Sequence, residues 1–227
     1  MTEHLKKIQH LYWRAGFGLS PSELVQKSKL ATQQLAEQLV SKAKKNSNSK
    51  TLNTLFTTLE ERKSMSKEAL KSQRMKLRQM VGDINATWVE EMANTDNPLL
   101  ERMSLFWHDH FACRITNAML VPSYMNAIRK NALGDFKSLL MSVSKSAAMI
   151  RYLNNQQNRK EKPNENFARE VMELFTIGRG NYSENDIKEA ARAFTGWSSN
   201  MKGEFVFRKN WHDTGEKTFM GTTGQLD

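Results

Sequence analysis

Three short stretches of this 227-residue chain carry side chains able to bind a metal or move protons. The first is Pro163–Gly178, PNENFAREVMELFTIG. At about 100° per residue Phe167, Val171, Leu174 and Phe175 form a buried stripe, with Ala168 and Met172 at its margin. Asn166, Glu170 and Glu173 then share the adjacent flank, and Glu170 lies nearest the stripe. Two accounts fit these carboxylates. Glu165–Arg169 and Arg169–Glu173 are i,i+4 pairs, which make an ion-pair ladder. Alternatively, partial burial tunes Glu170 and Glu173 as metal ligands or general acid/base groups. The Glu-x-x-His pair of di-iron bundles is missing.

The second stretch is Leu99–Phe111, LLERMSLFWHDHF. On a helix His110 falls within the apolar arc of Leu99, Leu100, Met103, Phe106, Trp107 and Phe111, and His108 points to roughly the opposite side. Residues i and i+2 of a helix cannot chelate one ion together. His110 therefore reads either as a buried, hydrogen-bonded histidine or as a ligand or proton shuttle. The third stretch is Trp211–Gly221, WHDTGEKTFMG. A His-Asp pair in a Gly-containing loop is a frequent setting for function. His212 could ligate metal or carry protons, Asp213 could orient it or itself bind metal, and Lys217 could hold an anion; a turn built on Asp213 is the competing account. No Gly-x-Ser-x-Gly, phosphate loop or His-Glu-x-x-His is present.

Composition narrows the choices. The single cysteine, Cys113, excludes an internal disulfide and any multi-cysteine metal site; its apolar neighbours make it a small buried hydrophobe rather than a reactive thiol. No apolar run approaches the roughly 20 residues that span a bilayer, and the N-terminus lacks the apolar core of an export signal. The expectation is a soluble, cytoplasmic protein. The net charge of +10 is uneven: residues 42–78 hold eleven Lys/Arg against three Glu, a local excess of +8. Lys67, Lys71, Arg74 and Arg78 recur at i, i+4, i+7 and i+11 on one helical face. That stripe is either a solvated surface or a site for an anionic partner such as nucleic acid or a membrane surface. The missing interleaved aromatics argue against nucleic acid.

The elements that must position these groups are mostly helical. Ser20, Pro21 and Glu23 make a strong helix start after a tight turn at Gly16 and Gly18. Helices are predicted over Ala31–Ala43, Lys67–Ala93, from Pro98, Ser123–Asn131, Asp135–Ser144 and Ala147–Leu153. Residues 44–50 read as a loop or linker and 154–162 as a polar loop. Asn164 is the expected cap of the helix bearing Glu170. Ser183 caps a further helix whose Ala190 and Ala191 permit close packing, ended by Gly196. Phe205–Phe207 is a short strand, followed by a Gly-rich tail that reads as a loop leading into a further element. The predicted fold is mainly α: one multi-helix globular domain over 1–227 with a short β element near the C-terminus, cut short at that end.

Five blocks together resemble a bacterial family catalogued as domain of unknown function 1800: HLYWRAGFG (10–18), PLLERMSLFWHDHF (98–111), NENFAREVMELF (164–175), 182–197, and the tail His212, Asp213, Lys217 and Gly221. The resemblance spans most of the chain and is weak between about 30 and 85. It implies a missing C-terminal half, because members are typically much longer. It also sets an exported localisation against the cytoplasmic one, because many members begin with an export signal. A sulfatase-like partner is implied too, since such proteins are often encoded nearby. The resemblance supplies no reaction. Three functions follow as expectations. One is a metal-assisted, hydrolytic helical enzyme that uses His110, Glu170, Glu173, His212 and Asp213 with a divalent ion. The others are a non-enzymatic partner domain for the sulfatase-like protein and an anion-binding module on the basic helix.

Overall fold

Several helix starts are written locally and appear where the sequence puts them. The computed structural model describes residues 2–45 and 65–227. The N-terminal helices are α1 (Glu3–Arg14), α2 (Pro21–Lys27) and α3 (Thr32–Lys45). Ser20 and Glu23 close a reciprocal capping box on α2, with Pro21 in its first turn. Lys44 and Lys45 continue α3 instead of opening a linker; the rest of that predicted linker, 46–50, lies outside the described residues. Ser66 caps α4 (Lys67–Asn94), 28 residues and about 42 Å long at 1.5 Å per residue. Then come α5 (Pro98–His110), α6 (Val121–Asn131), α7 (Phe136–Ser144) and α8 (Ala147–Tyr152). Asp135 and Ser146 accept from the backbone N–H groups of Ser138 and Met149 at the starts of α7 and α8. Each such cap contributes about 1 kcal/mol.

The principal core gathers Phe111 at the end of α5 with Val121, Tyr124, Met125 and Ile128 of α6, Leu139 and Val143 of α7, and Ala147–Met149 of α8. The Tyr124 hydroxyl, at the centre, donates to the Phe111 carbonyl where α5 stops. A second core joins Ile8 and Tyr12 of α1 to Leu35 and Leu39 of α3, with Leu99 of α5 against them. No residue of α4 is fully buried. Val81, Ile84 and Trp88 in its C-terminal half pack on the principal core, and one carboxylate pins it there. Buried Glu101 of α5 accepts from Trp88 Nε1 at 3.1 Å and from Arg129 Nη2 of α6 at 2.8 Å, both at Oε2.

The segment carrying Glu170 departs from the sequence reading. It begins as α9 (Asn166–Glu170) and widens into a π-helical turn over Val171–Thr176. The amides of Ile177 and Gly178 both reach the Met172 carbonyl, and the Thr176 hydroxyl donates to Val171. A residue in a π turn advances by less than the 100° of an α-helix, because each turn holds more residues. Leu174, expected in the stripe, is rotated out to 57% exposure, while Phe175 is 4% exposed. Ala168 and Met172, expected at the margin, are buried against Ile187, Ala190 and Ala191 of α10 (Glu184–Ala193). The N-cap position falls on Glu165, and Asn164, one residue before it, still accepts the first helical amide, that of Asn166, on its side chain.

Two antiparallel ribbons follow. β1 (Trp197–Ser199) pairs with β2 (Phe205–Phe207), and β3 (Lys217–Phe219) with β4 (Thr222–Gly224). The predicted loop at the tail is thus a hairpin. Met220 and Gly221, at φ 48° and 78°, form its two-residue turn, the doubly positive geometry that suits strand twist. The chain is mainly α with a small C-terminal β element.

The π turn has a direct consequence for stability. Phe175→Ala should cost about 3–5 kcal/mol in urea unfolding, and Leu174→Ala less than about 0.5 kcal/mol. A continuous α-helix would make both substitutions costly.

Candidate functional site

The residues singled out in the sequence fall into separate places. His110 is half-buried among Trp107, Phe111, Phe136 and Phe175. Its Nε2–H donates to the Phe175 carbonyl at 3.0 Å; a carbonyl only accepts, so this bond fixes the tautomer and ties the end of α5 to the π turn. Glu173 accepts from the Tyr182 hydroxyl at 2.5 Å and from Arg179 at 3.1 Å, and these bonds hold its carboxyl below the usual range, the tyrosine bond foremost. Arg169 pairs with Glu165 at 3.2 Å and lies 3.9 Å from Glu173, as the ladder predicts. Its bidentate partner, however, is Glu184 of α10, at 2.8 and 3.0 Å. Glu170 is half-buried and makes no hydrogen bond or ion pair among the described residues.

His212, Asp213 and Lys217 do come together, around the end of α10. Buried His212 donates from Nδ1 to the Thr195 carbonyl at 2.9 Å and packs edge-on against Phe207. Asp213 takes a fork of two bonds from Arg192, at 2.7 and 3.3 Å, and a third from the Gly215 amide. These bonds, Arg192 first, lower its pKa. Arg192 also grips Glu189, whose other bond is from the Thr218 amide of β3. Lys217, expected to hold an anion, is 1% exposed and spends its ammonium on the carbonyls of Asp213 and Gly215; burial lowers its pKa. It closes the 213–215 loop and does not face solution. This cluster is a satisfied network joining α10 to the β3–β4 ribbon.

No group of three or more His, Cys, Asp or Glu side chains is disposed to hold a metal ion among the described residues. The four proposed ligands His110, Glu170, Glu173 and His212 do not converge. Both histidines use one ring nitrogen on a backbone carbonyl, and Glu173 is taken up by Arg179 and Tyr182.

A partly enclosed recess lies elsewhere, between α4, α5 and α6. It is a cavity of about 140 Å³, walled by Val81, Ile84, Ile115, Val121 and Met125. Four ionisable side chains from different stretches line it, Glu91, His108, Cys113 and Arg129, with the polar Asn85 and Thr87 of α4 beside them. The sequence reading turned His108 away from the interior. It is half-buried, because α4 covers that side of α5 as well, and its ring meets Trp88 edge-on at 5.2 Å. Burial lowers its pKa, opposed by Asp109, so the imidazole is neutral at physiological pH. Burial also pushes the Cys113 thiol up to about 12, which leaves it protonated and a poor nucleophile. Arg129 is neutralised by Glu101 and stands 3.7 Å from Glu91. Glu91 itself makes no hydrogen bond among the described residues. The basic stripe expected on α4 is present as a surface: Lys67, Lys71, Arg74 and Arg78 are all exposed.

The Arg192–Asp213 fork has a pH signature. Asp213's folded pKa is depressed, so its contribution is complete above the ordinary aspartate range and is lost as pH falls through the folded value. Asp213→Asn should lower stability by about 1–3 kcal/mol at pH 7 and flatten the acid limb of a pH series of urea melts. An unchanged acid limb would show that other carboxylates carry it.

Searches of curated proteins and of solved structures gave no match to this chain. A family model described as a protein of unknown function, DUF1800, matches residues 10–227. That span includes the α5 histidines, the π turn and the Arg192–Asp213–Lys217 network, and the chain belongs to the DUF1800 family.

Proposed function

We propose that the domain is a binding module. The recess between α4, α5 and α6 takes a compact apolar body, from a small ligand or a partner's side chain, that carries a cationic or hydrogen-donating head. The cavity carries this reading: its walls are apolar, with a few polar groups converging from distant sequence, the usual make-up of a ligand pocket. Its 140 Å³ matches the size of cavity that accepts benzene. Glu91 supplies the charge for the head because Arg129 is already paired with Glu101. Neutral His108 supplies a second acceptor, and Trp88 flanks both.

The metal-assisted hydrolase suggested by the acidic and imidazole residues has less support, because the structural ties of His110, His212 and Glu173 use the groups a metal would need. A partner role beside a sulfatase-like protein fits the same recess, with a side chain of that protein as the occupant. Anion binding along Lys67, Lys71, Arg74 and Arg78 is supported by their common exposure on α4; it predicts affinity for anionic vesicles or nucleic acid that falls steeply with salt.

Benzylamine is the direct probe of the recess. At ten times its Kd it should stabilise the protein by about 1.4 kcal/mol, raising the melting temperature by roughly 3–6 °C. Glu91→Gln should weaken the effect at least tenfold, and added divalent ions should leave it unchanged. The absence of any shift with benzylamine, or a shift untouched by Glu91→Gln, would overturn the reading.

A further inference from the structure

Away from the recess, two loops distant in sequence build a cationic surface around one indole. The Arg159 guanidinium carbon lies 3.8 Å from the Trp211 ring centroid, and that of Arg208 lies 4.6 Å from it. Both guanidinium groups thus lie against the same indole. Lys160, Lys162 and Lys209 belong to the same two loops, 159–162 and 208–211. Glu161 is the one carboxylate in either segment. None of the five cations forms an ion pair among the described residues.

The arrangement is fixed from beneath. The Lys160 amide donates to the Trp211 carbonyl at 2.8 Å, and residues 159 and 162 pair across a tight turn. Asn158, fully buried, donates to Ala191 and accepts from the Asn164 amide, and its carbonyl receives the Gly196 amide. Gly196 receives the Arg208 amide and lies so close to that residue that a Cβ would sit 2.7 Å from the Arg208 carbonyl, at φ 81°. The backbones that carry both arginines are therefore held before any ligand arrives, which removes much of the ordering cost of binding.

Stacking on an indole holds a guanidinium flat and leaves its N–H edge free for a planar, forked contact to oxyanions. Two guanidinium groups already crowd the Trp211 ring, which favours an oxyanion over a nucleobase as the ligand. We propose that the Arg159–Trp211–Arg208 cluster, with Lys160, Lys162 and Lys209 at its margin, is a binding site for a multiply charged phosphate group. The same chemistry is offered by a free polyphosphate and by a phosphomonoester lipid headgroup.

The test is calorimetric titration of the full chain with tripolyphosphate at low ionic strength. The expected result is a single site whose affinity falls at least tenfold in Arg159→Ala/Arg208→Ala. Arg159→Lys/Arg208→Lys should lose at least threefold, because lysine keeps the charge but not the flat fork. If the alanine pair fails to fold, Lys162→Gln/Lys209→Gln serves instead and should weaken binding about threefold. Co-sedimentation with phosphatidic acid vesicles that tripolyphosphate reverses would assign a lipid headgroup; no co-sedimentation beside intact tripolyphosphate binding would assign a free phosphate ligand. No binding of tripolyphosphate would overturn the proposal. So would binding unchanged by the arginine and lysine substitutions but lost in Lys67→Gln/Lys71→Gln.

Discussion

One carboxylate oxygen joins the three helices that wall the recess. Glu101 Oε2 takes the Arg129 guanidinium and the Trp88 indole together, and so fastens α6 and α4 to the two sides of α5. The rest of α4 has little hold, since none of its residues is fully buried. A buried ion pair offsets its desolvation only when the geometry is good and the remaining polar atoms are satisfied. Here the indole supplies part of that satisfaction, though Arg129 Nε has no partner among the described residues. The recess, the neutral His108 and the burial of Cys113 all follow from α4 being held in place. The site thus rests on this polar contact together with the packing of Val81, Ile84 and Trp88 on the principal core.

The polar residues of the family blocks serve a different purpose. His110 ties α5 to the π turn, Arg169 ties α9 to α10, and Arg192 with Lys217 ties α10 to the last ribbon. Each bond joins segments that apolar packing alone leaves loosely specified. The last ribbon has three-residue strands and one partly buried aromatic, Phe219, in the core beneath it. Charged bonds at such a junction fix register where there is too little surface to do so by burial.

Local signals were read well from the sequence, and facing relationships were not. The caps at Ser20 and Ser183 and the starts at Lys67 and Pro98 are short-range chemistry, and the helices begin there. A constant 100° advance puts Leu174 in the stripe, but the turn widens and rotates it out. His108 departs from its expected side for another reason: which side of α5 is inside depends on where α4 lies, and the weak amphipathicity of α4 does not announce that. The Arg159–Trp211–Arg208 stack joins residues some 50 positions apart and had no periodic signal to find. A hint was available in the alternation of cations with one tryptophan in two otherwise unremarkable loops.

The widened turn at Val171–Thr176 also bears on how the chain can change over time. A π turn is what an α-helix becomes when it absorbs one extra residue without disturbing its ends. Removing that residue would return the segment to an ordinary helix and shift the angular position of every side chain after it, so the bonds from Tyr182 and Arg179 to Glu173 depend on backbone length as well as on residue type.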